Sequence, residues 1–283
     1  MPTIRHILFP VDFSEQNRGM AAHAQHLAAR YQARVTLLHV MQLTSAYPGW
    51  PAFDFQAIAA QTKQRIDSFL TSHFHGIATT RLVTEGDPAQ EIVDYAGKQN
   101  VDLIMMPTHG YGPFRRFILG SVTAKVLHDA KCPVWTSAHV EEAPVEPTAY
   151  RTVLCAVDLT PKSLPLTQWA SGFASEQGAG LKLVHAVAAP EDRPGIDIEG
   201  GKFREFLFDV ARGEFAKLQK AAGTNFETVL EAGDVARVVR KAAEKAHADL
   251  VVIGRGVVQE PFGRMRTHVY SIIREAPCPV VSV

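Results

Sequence analysis

The sequence predicts an α/β protein made of two tandem domains, each a parallel sheet covered by helices on both faces. Three observations predict it. Short apolar runs alternate along the whole chain with segments whose apolar residues recur at helical spacing. The segments of the first half return in the second. Val11-Asp12-Phe13-Ser14 reappears as Val157-Asp158-Leu159-Thr160, Leu37-Leu38-His39-Val40 as Leu183-Val184-His185-Ala186, and Cys132-Pro133-Val134 as Cys278-Pro279-Val280, each 146 residues on. Gly86-Asp87 and Asp102-Leu103-Ile104 return 147 residues on, as Gly233-Asp234 and Asp249-Leu250-Val251. Between the copies lies the acidic, proline-bearing stretch Glu141–Pro147, which reads as a linker. The expected domains are therefore 1–140 and 150–283, joined by 141–149.

Each element of the first copy has its own signal. Residues 4–11 are an apolar run that ends on Asp12, with Pro10 near its close. Ser14 is placed to cap a helix whose Met20, Ala24, Leu27, Ala28 and Tyr31 share a face. Residues 34–40 form a second strand, continuous enough to be buried on both sides. The Tyr47-Pro48-Gly49-Trp50-Pro51 loop follows, a lid in prospect, then a helix over 54–74 and a strand over 78–84. Asp87-Pro88 opens the next helix, with Gln90 three residues past the cap. A strand over 102–106, a glycine-bearing loop, a helix from Ser121 and a strand over 134–136 complete the unit.

Composition narrows the function. The 283 residues suit two domains, and 46% hydrophobic with 20% charged residues is ordinary for a water-soluble chain. Lys plus Arg and Asp plus Glu both number 29, so charge predicts neither nucleic-acid nor membrane-surface binding. No apolar run reaches the ~18 residues of a membrane span. The first strand begins too early to leave room for a signal peptide. Three scattered cysteines fit a reducing compartment, so a cytoplasmic location is expected.

The chemically suggestive stretch is Pro107-Thr108-His109-Gly110, nine residues from Tyr111 to Leu119, then Gly120-Ser121-Val122-Thr123. A glycine at a helix start lets oxygens approach the backbone, and the free N–H groups behind it carry about half a positive charge. That combination holds phosphate. Gly-Ser at a helix start is also plain capping.

This stretch resembles the nucleotide-binding loop of the universal stress protein family: Gly, two residues, Gly, nine residues, then Gly and Ser or Thr. Pro107 departs from the pattern, standing at the first glycine and lacking an N–H. The resemblance covers both copies. It implies a five-stranded, Rossmann-like sheet in each, of the adenine nucleotide alpha hydrolase-like kind. It also implies a strand order that reverses between the first and fourth strands, where open α/β sheets bind ligands. One ATP per chain, with Mg2+ as an accompanying ion, is the ligand it implies for the first copy. Asp12 would accept a hydrogen bond from ribose or adenine, and the Val40 backbone would face the adenine edge. Gly110, Gly120, Ser121, Val122 and Thr123 would surround the phosphates, with Arg116 and His109 in reach. A turn-capping carboxylate is the plainer reading of Asp12. By the same resemblance the final strands of the two copies would pair as an internal pseudo-dimer, with homodimers a further option and the protein partner unspecified.

The second copy keeps Asp158, but its loop runs Gly254-Arg255-Gly256, nine residues, then Arg266-Thr267. Arg266 would fill phosphate space and place a cation at the unfavourable helix end. Either Arg266 or Arg264 grips an anion itself, or this copy keeps the fold without the ligand. There is no Gly-Lys-Ser/Thr phosphate loop, no Gly-x-Ser-x-Gly elbow and no cysteine pair at zinc spacing. His23, His26, His73 and His75 lack a third ligand nearby, so no metal site is expected. A binder, not a catalyst, is the reading. A nucleotide-free scaffold and an adenylate-processing enzyme are its rivals, and the latter's early Ser-Gly-Gly-x-Asp-Ser or His-Ile-Gly-His signature is absent.

Overall fold

In a computed structural model, residues 3–42, 55–108, 119–137, 150–188, 198–255 and 264–283 are described. They fall into two units, Thr3–Pro147 and Thr148–Val283. The first runs β1 (His6–Pro10), α1 (Glu15–Tyr31), β2 (Arg34–Met41), α2 (Phe55–Ser68), β3 (Thr79–Glu85), α3 (Pro88–Lys98), β4 (Leu103–Pro107), α4 (Ser121–Asp129) and β5 (Val134–Ser137). Its strands are parallel in the order β3-β2-β1-β4-β5. The second repeats it as β6 (Thr152–Ala156), α5 (Ser163–Gln177), β7 (Gly180–Val187), α6 (Ile198–Ala222), β8 (Glu227–Ala232), α7 (Val235–Ala246), β9 (Leu250–Ile253), α8 (Arg264–Glu275) and β10 (Val280–Ser282), ordered β8-β7-β6-β9-β10. Among the described residues no helix is long and apolar enough to cross a membrane.

Local chemistry explains the elements. Ser14 caps α1 by accepting from the Asn17 N–H, and Gln32 closes it in the left-handed conformation at φ 52°. The face between them buries Met20, Leu27 and a run of alanines against the sheet, about 1.5–3 kcal/mol for each large side chain. Asp87 accepts from the Gln90 N–H and Pro88 opens α3, as the sequence predicts. The helix predicted to reach residue 74 ends at Ser68. Leu70 adopts φ 55°, which a continuing helix cannot hold, and the turns beyond bury Phe69, Leu70 and Phe74. Apolar periodicity alone could not separate those turns from helix.

Both units fasten the fourth strand to the first with one carboxylate. Asp102 Oδ2 accepts from the Arg5 and His6 N–H groups at 2.8 and 2.9 Å. Asp249 Oδ2 does the same for Arg151 and Thr152 at 2.7 and 2.9 Å. This is why the aspartate recurs with the duplication.

At the other end of the same seam the units differ. Pairing of β1 with β4 covers Ile7–Leu103 and Leu8–Ile104 and then stops, although β1 continues to Pro10 and β4 to Pro107. The Val11 N–H bonds to β2 and the Thr108 N–H to the Ser137 carbonyl beside β5. Strand alternation therefore turns the nitrogens of Pro10 and Pro107 towards each other's strand, where neither can donate. In the second unit Ala156 and Gly254 hold these places, and β6 pairs with β9 over four residues, to Ala156–Ile253.

Candidate functional site

The strand order turns back between β1 and β4, so a crevice opens at their carboxyl ends, where pairing has already stopped. Asp12 stands on the β1 side with an exposed side chain. Its Oδ1 accepts from the Ser14 N–H at 2.9 Å and the Ser14 hydroxyl at 2.5 Å, the turn-capping geometry. The buried Asn17 clamps the turn from behind. Its Nδ2 donates to the Pro10 carbonyl at 3.1 Å, and its Oδ1 accepts from the Asp12 N–H at 2.9 Å. Phe13 is forced to φ 63° and packs its ring against His39 and Phe69. His39 Nδ1 donates to the Val11 carbonyl at 2.7 Å. The carboxylate is thus held by Ser14, and the turn that carries it by Asn17 and His39.

Val40, expected to face an adenine edge, lies in β2 one residue before its end. Even-numbered residues of β2 turn their backbone towards β1, as the Arg34 N–H bond to Arg5 and the Leu38 carbonyl bond from Val11 show. The β1–β2 pairing ends at Pro10–Leu38, so the Val40 groups face past the end of β1.

Across the crevice, Gly120 is the N-cap of α4, with extended φ −61° and ψ 144° and no side-chain cap. The Gly120 N–H donates to the Thr108 carbonyl at 2.8 Å, and the Gly120 carbonyl accepts from Ala124 at 2.8 Å. The glycine therefore offers the absence of a Cβ, not its N–H. The amides of Ser121, Val122 and Thr123 have no carbonyl four residues back within the helix. Ser121 is exposed as the first helical residue, one past the cap position. Thr123 is buried and donates its hydroxyl to the Pro107 carbonyl at 3.2 Å. That bond fixes the helix start to the strand end, and makes Thr123 a structural residue as regards its side chain. Pro107 itself is buried inside β4. His109, Gly110 and Arg116, and the Trp50 loop proposed as a lid, lie outside the described residues.

The universal stress protein family model matches residues 3–137 and again 149–283. The chain belongs to the universal stress protein family. A universal stress protein of Methanocaldococcus jannaschii is 33% identical over 134 residues, 45% of this chain and 78% of that protein. One from Mycolicibacterium smegmatis is 25% identical over 207 residues, 67% of this chain and 66% of that protein. The crystal structure of an Archaeoglobus fulgidus universal stress protein superposes with a TM-score of 0.71 at 20% identity, covering 98% of this chain and 95% of that one, which shows a common fold.

The second universal stress unit keeps the acid-bearing turn and alters the rest. Asp158 Oδ1 accepts from the Thr160 N–H at 3.0 Å, and from the Thr160 and Ser163 hydroxyls at 2.8 Å each. Burial raises its pKa, but these three bonds outweigh it and hold the carboxyl below the usual range. His185 repeats the His39 bond on the Val157 carbonyl at 2.9 Å. Gly254 lies just past β9, with room for a Cβ in ordinary contact with Leu166. Here one expectation needs correcting: Arg266 does not precede the helix. α8 begins at Arg264, which puts Arg266 and Thr267 inside its first turn. Aligned with Ser121, the helix starts three residues early, carrying two arginines to the end where cations are unfavourable. Gly256 and the Arg266 and Thr267 side chains lie outside the described residues.

Sequence reasoning passed over Asn17, His39 and Thr108. Each had a faint signal: His39 recurs as His185, Asn17 falls three residues after a capping serine, and Thr108 sits between loop and strand. Among the described residues no group of three His, Cys, Asp or Glu side chains could hold a metal ion.

Proposed function

We propose that this universal stress protein binds one adenine nucleotide, ATP, in the crevice of its first unit, and that the second unit has the fold without the ligand. The observation that carries the reading is the unpaired β1–β4 seam, flanked by Asp12 on one side and the glycine-capped start of α4 on the other. The donor set fits an anion: three helix-start amides and the Ser121 hydroxyl would take phosphate oxygens where no Cβ stands at residue 120. Asp12 Oδ2 and the Val40 backbone would meet the ribose and the adenine edge. Bound Mg2+ would be carried by the triphosphate and water, since a carboxylate cluster for it is not found among the described residues. The protein is read as a nucleotide binder and not as a catalyst. The second unit pairs its first and fourth strands further and places two arginines in the α8 start, where a helix disfavours cations. A cytoplasmic regulator that reports nucleotide occupancy to a protein partner is the role that follows.

The test is to denature the purified protein and identify what is released by mass spectrometry. ATP or ADP near one equivalent is expected. Two equivalents would contradict the reading of the second unit. Absence of nucleotide together with no measurable ATP affinity would favour a scaffold.

A further inference from the structure

A lysine reaches the start of α4 from within the helix. Lys125 is four residues past Ser121, on the same face one turn further in. Side chains lean towards the amino end of a helix, so this one runs back over the first turn. Its ammonium lies 3.1 Å from Asp87 Oδ1. Asp87 caps α3 two residues beyond the end of β3. The ammonium therefore sits at the carboxyl end of the sheet, the end at which the β1–β4 crevice opens.

The pair is loosely made. Its side chains are 45% and 58% exposed, a setting in which an ion pair exchanges freely. Asp87 Oδ1 is shared, because it also accepts from the Gln90 N–H at 2.9 Å. The α4 start is positive, so a cation beside it is disfavoured until an anion arrives. Four residues of helix rise about 6 Å, within the length of a lysine side chain. Lys125 can thus turn from Asp87 to an anion on the Ser121 amide without any movement of the backbone.

The second copy separates the roles of the two residues. Asp234 caps α7 by accepting from the Arg237 N–H at 3.1 Å, so capping alone accounts for the aspartate. Lys125 has no such counterpart, since Ser271 stands 146 residues on. The lysine belongs to the copy whose helix starts behind a glycine, not to the one whose helix starts with Arg264.

We infer that Lys125 reads the phosphate chain of the nucleotide, resting on Asp87 until a triphosphate draws its ammonium to the terminal phosphate. This rests on the nucleotide reading above and adds a preference to it. A monophosphate keeps its one phosphate beside the ribose and leaves Lys125 on Asp87, so the residue favours ATP over AMP.

Calorimetric titration of nucleotide-stripped protein with Mg-ATP and with AMP tests it. Lys125→Met should weaken ATP about tenfold, the loss of one charged hydrogen bond, and AMP by less than about twofold. Lys125→Arg should keep ATP within about threefold of wild type. Asp87→Asn leaves an oxygen for the Gln90 N–H but frees the lysine, and should tighten ATP about threefold. Equal losses of ATP and AMP in Lys125→Met, or unchanged ATP affinity, overturn the inference and leave the nucleotide reading standing. A wild type that binds neither nucleotide overturns both.

Discussion

Individual carboxylates in this chain do separable work. Asp102 satisfies two backbone N–H groups at the amino end of β1, and both lose their partner if it is removed. Asp102→Ala should cost about 2 kcal/mol, read as a lower urea midpoint at unchanged slope. Asp12 is different, because its turn is also held by Asn17. Asp12→Asn keeps an oxygen for Ser14 and should leave the melt nearly unchanged while lowering ATP affinity about tenfold, the loss of one charged hydrogen bond. His23 contributes to the pH dependence of stability. Burial, helped by the neighbouring His26, lowers its pKa to about 4 from an ordinary 6.5. Between those values the unfolded chain binds the extra proton, so the His23 contribution is full above pH 6.5 and is lost as pH falls towards 4. The loss is at most about 3 kcal/mol, and His23→Gln should flatten that part of a stability–pH curve.

At the scale of elements, the caps are the tunable parts. Gln32 is exposed and left-handed at φ 52°, a conformation that glycine adopts without strain. Gln32→Gly should stabilise the protein by about 0.5 kcal/mol net in denaturant titrations, the relief of left-handed strain exceeding the entropy gained by the unfolded chain. Element order, the capped starts of α1 and α3 and the duplication were legible in the sequence because each rests on local chemistry: Ser14, Asp87-Pro88, alternating apolar runs. The end of α2 was not, since Leu70 leaves the helix for a tertiary reason, the burial of Phe69 and Phe74. The candidate site was half legible. Asp12 and Gly120-Ser121 stood out by spacing, whereas the hydroxyl bond from Thr123 to Pro107 and the early start of α8 depend on contacts between elements distant in sequence. Pro107 looked like a defect in a binding loop when read as loop. Inside β4, opposite Pro10, it belongs to the reason the seam is unpaired.

Over the whole molecule, the two copies serve as each other's control. They share a fold, a strand order, the seam aspartate and the acid-bearing turn. They differ where a ligand would sit: Pro10 and Pro107 against Ala156 and Gly254, a glycine-capped helix against one that starts a turn early with arginines. On the proposed reading one copy keeps the ligand crevice and the other keeps only the fold. The second loop should then be irrelevant to binding, and Gly256→Ala should leave ATP affinity within twofold of wild type in a fluorescence titration. The central claim is a single occupied crevice at the start of α4, and calorimetric titration with Mg-ATP of nucleotide-stripped wild type and Gly120→Val tests it most directly. The account predicts one site per chain for wild type and none for the valine variant, whose branched side chain occupies the phosphate position. Unchanged binding by Gly120→Val, or two sites per wild-type chain, would contradict it.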